Sequence, residues 1–371
     1  MKKIFFTLYS QKNKVLTGGQ AGSEKNYSFF KQYFSNNPVE RLSIRDYPAG
    51  IISKICRLLF LRYFEPNRIA KEEFINIMEN GVDVIFWDYF GGARFLKTVK
   101  KKYPMTKIIK FYHDIEFCRI KTLRSDKSVN VLRRIGHKIK NKMQYLETKK
   151  GDKVFVKYSD LIGCLNKRDG NILEEHFGRN YDFLLPVSQD LNIAIGKADA
   201  DLFQTNSLLF VGVLTYWPNI EGLRKIINVI DKIDCNLYVI GSASNEIKEE
   251  LSRSNVHFLG RVDSLDKYYQ AADAVIAPIY SGGGMKVKIC EALSYGKYIF
   301  GTKEAFEGYE LDFGKVGGIF ESPEDFKKQI DRFFGNQHLK QNEYSIKLFK
   351  ENYANDVVYD RFKIEMDRLL R

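Results

Sequence analysis

The sequence predicts an α/β protein with two Rossmann-like domains, each built on a parallel sheet, and three observations carry that prediction. Short apolar runs such as Lys107–Tyr112, Ser207–Gly212 and Asn236–Gly241 alternate with segments of helical period, the order that gives parallel strands joined by helices. Glycine-rich loops stand between strand and helix at two places, Gly18–Ser23 and Gly282–Gly284. A fresh strand–loop–helix start at Ser207 divides the 371 residues into halves large enough for separate cores.

In the first half, Lys2–Leu8 reads as a strand, the Gly18–Ser23 loop follows, and a helix is expected near Glu24–Phe34. A strand, glycine loop and helix suit a nucleotide-binding-like half, although the spacing is not GxGxxG, and the loop alone is equally a simple turn. Helices near Lys71–Glu79 and Ala93–Lys102 alternate with strands Val82–Trp87 and Lys107–Tyr112. The last of these ends in His113-Asp114-Ile115-Glu116, at the strand end where open parallel sheets gather ligands. A lone histidine there is either functional or a structural hydrogen-bonding group.

Next comes a basic segment. Residues 119–157 hold thirteen Lys or Arg against three acids, while Leu132, Ile135, Ile139, Met143 and Leu146 form one apolar stripe at helical spacing. Arg133, Arg134, Lys138, Lys140 and Lys142 crowd the other faces. Core packing with a solvated charged face and docking on an anionic membrane both fit this pattern. Nucleic-acid binding is not expected, because no recognised motif accompanies the charge. Tyr158–Leu165 reads as the last strand of a first domain spanning 1–186, followed by a helix from Lys167 to His176. Residues 187–206 read as the linker.

The second domain, 207–356, opens with Ser207–Gly212 and a helix through Ile230, for which Asn219 is a plausible cap. Strands Asn236–Gly241 and Val256–Gly260 follow, then Arg261, which is either a ligand or a surface residue. The stretch Val275–Gly296, VIAPIYSGGGMKVKICEALSYG, is the one around which the chain is organised. It places a buried strand, three glycines, Lys286 and Lys288, Glu291 and a helix in an order that makes an anion site, since free backbone N–H groups and the helix dipole point at the loop. A ligand carrying both phosphates and hydroxyls suits it. Tyr298–Gly301 is a further strand; helices follow from Pro323, and the last, 357–371, is expected to complete the first domain.

A net charge of +13 favours anionic partners, and 44% hydrophobic residues with 14% aromatics exclude a disordered chain. The five cysteines are scattered without CxxC spacing, as in a reducing compartment, and imply neither a disulfide frame nor a zinc site. Ile4–Leu8 is too short for a signal-peptide core or a membrane span, so a cytoplasmic protein is expected, peripheral at the inner membrane face if the basic segment docks.

The order Pro278, Gly282–Gly284, Lys288, Glu291-Ala292-Leu293, Gly296 resembles the nucleotide-sugar site of retaining glycosyltransferases of the GT-B type, in the family numbered four. Phe210-Val211-Gly212 followed by Pro218-Asn219 and Gly222 is similar to that family's second-domain opening. The resemblance implies two Rossmann-like domains facing across a cleft, and transfer of a hexose-type unit from a nucleoside-diphosphate sugar to a saccharide acceptor, in some relatives a lipid-linked one. It implies donor binding by Gly19, Arg261, Gly283, Gly284, Lys286, Lys288 and Glu291, with His113 and Lys288 in the chemistry. No Asp-x-Asp metal site stands in the sequence, the nearest acidic run, Asp199-Ala200-Asp201, falling in the linker, so a reaction without metal or other cofactor is expected, the lysines standing in for a cation. Many members carry a second glutamate where this chain has Gly283. A sugar-nucleotide epimerase of the same architecture and a non-catalytic partner subunit are the alternatives.

Overall fold

The computed structural model describes residues 3–10, 18–45, 51–122, 131–192 and 202–370, and divides into two compact units, Met1–Pro186 with Tyr359–Arg371, and Val187–Val358. In the first, β1 (Ile4–Ser10), α1 (Gly18–Tyr33), β2 (Val39–Arg45), α2 (Ile51–Leu59), α3 (Arg68–Glu79), β3 (Val84–Trp87) and α4 (Ala93–Lys102) precede β4 (Lys107–Tyr112). After it come α5 (Glu116–Thr122), α6 (Val131–Tyr158), β5 (Leu161–Cys164), α7 (Lys167–Phe177) and β6 (Phe183–Leu184). The six strands are all parallel in the order β2-β1-β3-β4-β5-β6. Burial on both faces explains why the central strands read as unbroken apolar runs: all four residues of β3, Val-Ile-Phe-Trp, are buried. Phe6 of β1 stacks on Phe86 of β3 with ring centroids 4.9 Å apart, and Phe86 in turn on Phe111 of β4 at 5.9 Å.

In the second unit, β7 (Ser207–Val211), α8 (Trp217–Ile230), β8 (Asn236–Ile240), α9 (Asn245–Leu251), β9 (Val256–Gly260), α10 (Asp266–Ala271), β10 (Ala274–Ala277) and α11 (Val287–Ser294) lead to β11 (Tyr298–Gly301). Then come α12 (Phe313–Val316), β12 (Gly317–Ile319), α13 (Pro323–Phe334), α14 (Glu343–Asn352) and α15 (Asn355–Leu369). This sheet is also wholly parallel, in the order β12-β11-β10-β7-β8-β9. From Tyr359 onward α15 belongs to the first unit, where Tyr359 and Phe362 pack on Phe29 and Asp367 accepts a hydrogen bond from Tyr33 at 2.9 Å.

Several local expectations change. The glycines at 18, 19 and 22 are already helical in α1, so the loop expected there is the first turns of the helix. Tyr158 closes α6, and the strand expected from Tyr158 begins only at Leu161. The apolar stripe of α6 is not core at its start: Ile135 and Ile139 are 50% and 55% exposed, and the face turned to the core carries Gln144, Thr148, Asp152 and Phe155. The side chains of Leu132, Arg133 and Arg134, and most of the linker including Asp199 and Asp201, lie outside the described residues. All five cysteines are free thiols.

Both sheets have a switch point. In the first, the chain runs from β1 to β2 on one side and returns to β3 on the other; in the second, it runs from β7 outward to β9 and returns to the other side at β10. Ligands of open α/β sheets bind outside the carboxyl ends of strands at such points.

Candidate functional site

In the second unit, the two strands flanking the switch point each feed a helix. β7 ends in Gly212 and leads to α8; β10 leads through Pro278 and the glycine loop to α11. Neither N-cap residue caps its helix with its own side chain: Tyr216 precedes α8 and Lys286 precedes α11, where the Tyr309 hydroxyl instead accepts from the Cys290 N–H at 3.2 Å. The positive ends of two helix dipoles stand at this point, although the N–H groups of Asn219, Ile289 and Cys290 already bond the carbonyls of Tyr216 and Lys286 and the Tyr309 hydroxyl, and Pro218 has none. Gly284 holds φ +59°, a left-handed turn that glycine adopts at little cost, just before the chain enters α11.

Lys288 ties the two starts together. Its Nζ donates to Asn219 Oδ1 on α8 at 3.0 Å and lies 4.4 Å from the Phe210 ring centroid. Asn219 does not cap its helix as expected; its amide donates instead to the Val213 carbonyl at 2.9 Å and its oxygen faces the lysine. Gly212 is required by this approach, since a Cβ there would stand 2.7 Å from Asn219 Nδ2 and 2.9 Å from Lys288 Nζ. Burial pushes Lys288 down from 10.5 to about 7, Glu291 partly opposing and Lys286 adding to the shift.

Lys286, expected to bind the donor, sits against the glycine loop. Its ammonium donates to the Gly284 carbonyl at 2.9 Å and pairs with Glu304 at 2.8 Å, contacts that brace the loop. Glu291 lies one turn into α11, accepts from the Tyr269 hydroxyl at 2.9 Å, and is raised by burial. Tyr269 stacks on Tyr295 at 4.5 Å, which fixes that wall. Gly283 lies in the loop beside Gly284. Arg261 is exposed just after β9, the edge strand two places from β7.

The first unit has a site of its own at its switch point, a pocket of about 180 Å³ lined by Gly19, Ser23, Asp88, Lys110, His113 and Asp152 among others. Asp88 follows β3 and His113 follows β4; their side chains meet at 2.8 Å between Oδ1 and Nε2, with Ser23 Oγ 3.3 Å from the same nitrogen. Lys110 is buried inside β4, its ammonium donating to the carbonyls of Tyr89 at 3.1 Å and Phe111 at 2.7 Å. Burial lowers it to about 8 and raises Asp152 on α6 to about 7, the attraction between Lys110 and the carboxylates opposing both shifts.

Sequence reasoning named Gly19 and His113 here but not Asp88, Lys110 or Asp152. Asp88 carried a usable signal, an acid directly after a buried strand. Lys110 interrupts an otherwise apolar strand, which is a signal of the same kind. Nothing local marks Asp152. Among the described residues no group of three or more His, Cys, Asp or Glu is arranged to hold a metal, and no helix is long and apolar enough to cross a membrane.

Residues 205–336 match the model of the family described as glycosyl transferases group 1. An uncharacterised glycosyltransferase of Methanocaldococcus jannaschii is 24% identical over 259 residues, 64% of this chain and 66% of that protein. An uncharacterised 44.6 kDa protein from the cps region of Klebsiella pneumoniae is 26% identical over 178 residues, 43% of this chain and 45% of the other. Among solved structures, a sucrose-phosphate synthase from Thermosynechococcus elongatus has a TM-score of 0.74 at 12% identity, covering 100% of this chain and 99% of that one. The Anabaena protein HepE in complex with UDP has a TM-score of 0.68 at 11% identity, covering 99% and 100%.

Proposed function

The chain has the GT-B fold and carries the glycosyl transferases group 1 pattern in residues 205–336, and from that premise we propose that it is a glycosyltransferase that moves a hexose-type sugar, with retention, from a nucleoside-diphosphate sugar to a saccharide acceptor. The observation that carries this reading is Lys288, buried and bonded to Asn219, set between the starts of α8 and α11. Backbone donors and one buried cation are what a diphosphate needs on binding and what a departing diphosphate needs as charge builds on it. The reaction proposed is metal-independent, with the lysine and the helix dipoles supplying the positive field. Glu291 holds the ribose hydroxyls, and His113, oriented by Asp88, contacts the transferred sugar. A UDP complex of HepE, which shares the fold, supports the nucleotide assignment. A lipid-linked acceptor at the inner face of a membrane is the acceptor class we favour, on the exposed apolar and basic residues of α2 and α6.

A panel of nucleoside diphosphates tested by thermal shift checks the donor site, because a ligand that binds only the folded state raises the melting temperature. We expect one base to give a clear shift. Lys288→Ala should lose that shift and slow transfer about 10²- to 10³-fold, the range seen when one charge-stabilising donor is removed. Full activity in Lys288→Ala would end the assignment.

The carboxyl groups of the first unit's pocket favour a second reading, a sugar-nucleotide epimerase, since Asp152 is raised to the range useful for proton transfer. Product analysis of a nucleotide sugar incubated without acceptor separates the two: an epimeric nucleotide sugar supports the epimerase, whereas free sugar and diphosphate support the transferase. Absence of both products, with Gly283 standing where many relatives have glutamate, would favour a non-catalytic partner subunit.

A further inference from the structure

We propose that Tyr269 is a positioning residue of the second unit's site: through its bond to Glu291 it fixes the one carboxylate oxygen that meets a nucleotide's ribose, and so sets how strongly the site prefers ribonucleotides to deoxyribonucleotides. The proposal rests on the reading of Glu291 as partner of the ribose hydroxyls, and adds the residue that makes this partner selective.

Two hydrogen bonds running in opposite directions join α10 and α11. Tyr269 of α10, fully buried, donates to Glu291 Oε2 on α11 at 2.9 Å. Tyr295, which closes α11, donates in return to Asp266, the first residue of α10, and Asp266 also accepts from Ser264. Between these bonds the two tyrosine rings lie 4.5 Å apart and within 7° of parallel. Each tyrosine thus holds the other helix's acid, and neither ring can turn without giving up its neighbour.

The consequence falls on Glu291. Its Oε2 is taken by Tyr269, its Oε1 has no hydrogen bond among the described residues, and the residue keeps part of its surface exposed. An untethered glutamate presents its oxygens in several directions and loses that freedom when a ligand orders it; the tyrosine removes the freedom beforehand, which is preorganisation. One acceptor aimed one way suits a hydroxyl group. A site built to accept from such a hydroxyl rejects the analogue that lacks it, because the acceptor is then left unpaired. The bond acts on charge as well: burial raises the Glu291 carboxyl, and donation from Tyr269 together with the nearby Lys288 opposes the shift, favouring the ionised form that only accepts.

Binding of UDP, ADP and GDP to the full chain, each beside its 2′-deoxy and 2′,3′-dideoxy counterparts, tests this. For the base it takes, the wild type should prefer the ribonucleotide to the dideoxy compound by about tenfold or more, the worth of one hydrogen bond to a charged group. Tyr269→Phe keeps the ring and should cut that preference at least about threefold by weakening the ribonucleotide alone, the dideoxy compound binding as to the wild type. Glu291→Ala should abolish the preference, and adding Tyr269→Phe to it should change nothing further, since the tyrosine acts through Glu291. Tyr295→Phe, the second variant, removes the companion bond and should leave the preference as in the wild type; melting temperatures show that each variant is folded. An unchanged preference in folded Tyr269→Phe, an equal weakening of both nucleotides, or the same fall in Tyr295→Phe would overturn the proposal while leaving the donor site in place. A wild type that binds ribonucleotide and dideoxynucleotide alike overturns it together with the role of Glu291, and a chain that binds none of the nucleoside diphosphates removes the donor site itself.

Discussion

At the scale of single residues, Lys288 links burial to ligand charge. Because burial lowers its pKa to about 7, the free protein carries it largely neutral at pH 8.5, where a nucleoside diphosphate is fully ionised. A bound diphosphate favours the ammonium, so binding at pH 8.5 should take up close to one proton, and the apparent affinity should fall as pH rises from about 7 to 9. Calorimetric titrations in two buffers of different ionisation enthalpy measure this, and a buffer-independent enthalpy at pH 8.5 would show that Lys288 does not face the diphosphate. The stability sign follows from the same shift. Below about pH 7 the lysine is charged in both folded and unfolded chains and the burial penalty is fully present; between about 7 and 10.5 only the unfolded chain holds the proton, so this group's contribution to stability rises with pH.

At the scale of elements, the legible parts are those in which burial and sequence period coincide. β3, β4, β7, β8 and β10 are buried strands and read as apolar runs, and α4, α7 and α8 have clear helical spacing. β2, Val-Glu-Arg-Leu-Ser-Ile-Arg, is not legible in this way, because at the sheet edge it has no continuous apolar run and Glu40-Arg41 breaks its alternation. α9 and α12, of seven and four residues, are too short to show a period. In the site, the glycine loop and Lys288 were readable because their order is local. The Asp88–His113 contact joins the ends of two strands, and the burial of Lys110 is decided by carbonyls at Tyr89 and Phe111 that only the folded sheet presents. Close packing between elements makes a further expectation. A Cβ on Gly222 of α8 would lie 1.8 Å from the Pro278 carbonyl oxygen, so Gly222→Ala must push α8 away from the loop that follows β10. We expect a loss of about 1 to 3 kcal/mol, the usual cost of overpacking, together with weaker nucleotide binding. Denaturant unfolding beside a nucleotide titration checks both; a wild-type midpoint would mean that helix and loop are not in this contact. Lys297→Met makes the complementary case, because that ammonium donates to the carbonyls of Gln270, Ala272 and Lys340. Its loss should cost about 1 to 3 kcal/mol by leaving the buried Ala272 carbonyl and its part-buried neighbours unpaired, while nucleotide affinity in the folded fraction stays unchanged.

For the whole molecule, the net charge of +13 and the placement of exposed apolar side chains bear on what the protein meets outside its pockets. α2 and α6 pack together in the first unit. Ile55, Leu59 and Phe60, at the end of α2, are 51%, 59% and 69% exposed, and Ile135 and Ile139 on α6 are half exposed. Lys138, Lys140 and Lys142 are exposed on the same stretch of α6, and Lys140 lies over the Tyr63 ring just beyond α2. Apolar groups that insert shallowly, flanked by lysines that meet anionic headgroups, make the combination by which a helix rests on a bilayer without crossing it. Each lysine near an anionic surface contributes about 1 kcal/mol, so replacing Lys138, Lys140 and Lys142 by Gln should weaken partition onto phosphatidylserine-containing vesicles by about 3 kcal/mol, roughly a hundredfold. Replacing Ile55, Leu59 and Ile139 by Ser should weaken it further, and that second loss should persist at high salt, where the first is screened. Vesicle sedimentation across a salt series reads both arms. If the lysine variant sediments like the wild type at low salt, the charge excess serves some other partner and the lipid-linked acceptor loses its support. If only the lysine arm responds, the protein is held at the surface by charge alone, and the exposed isoleucines and leucines belong to a different contact.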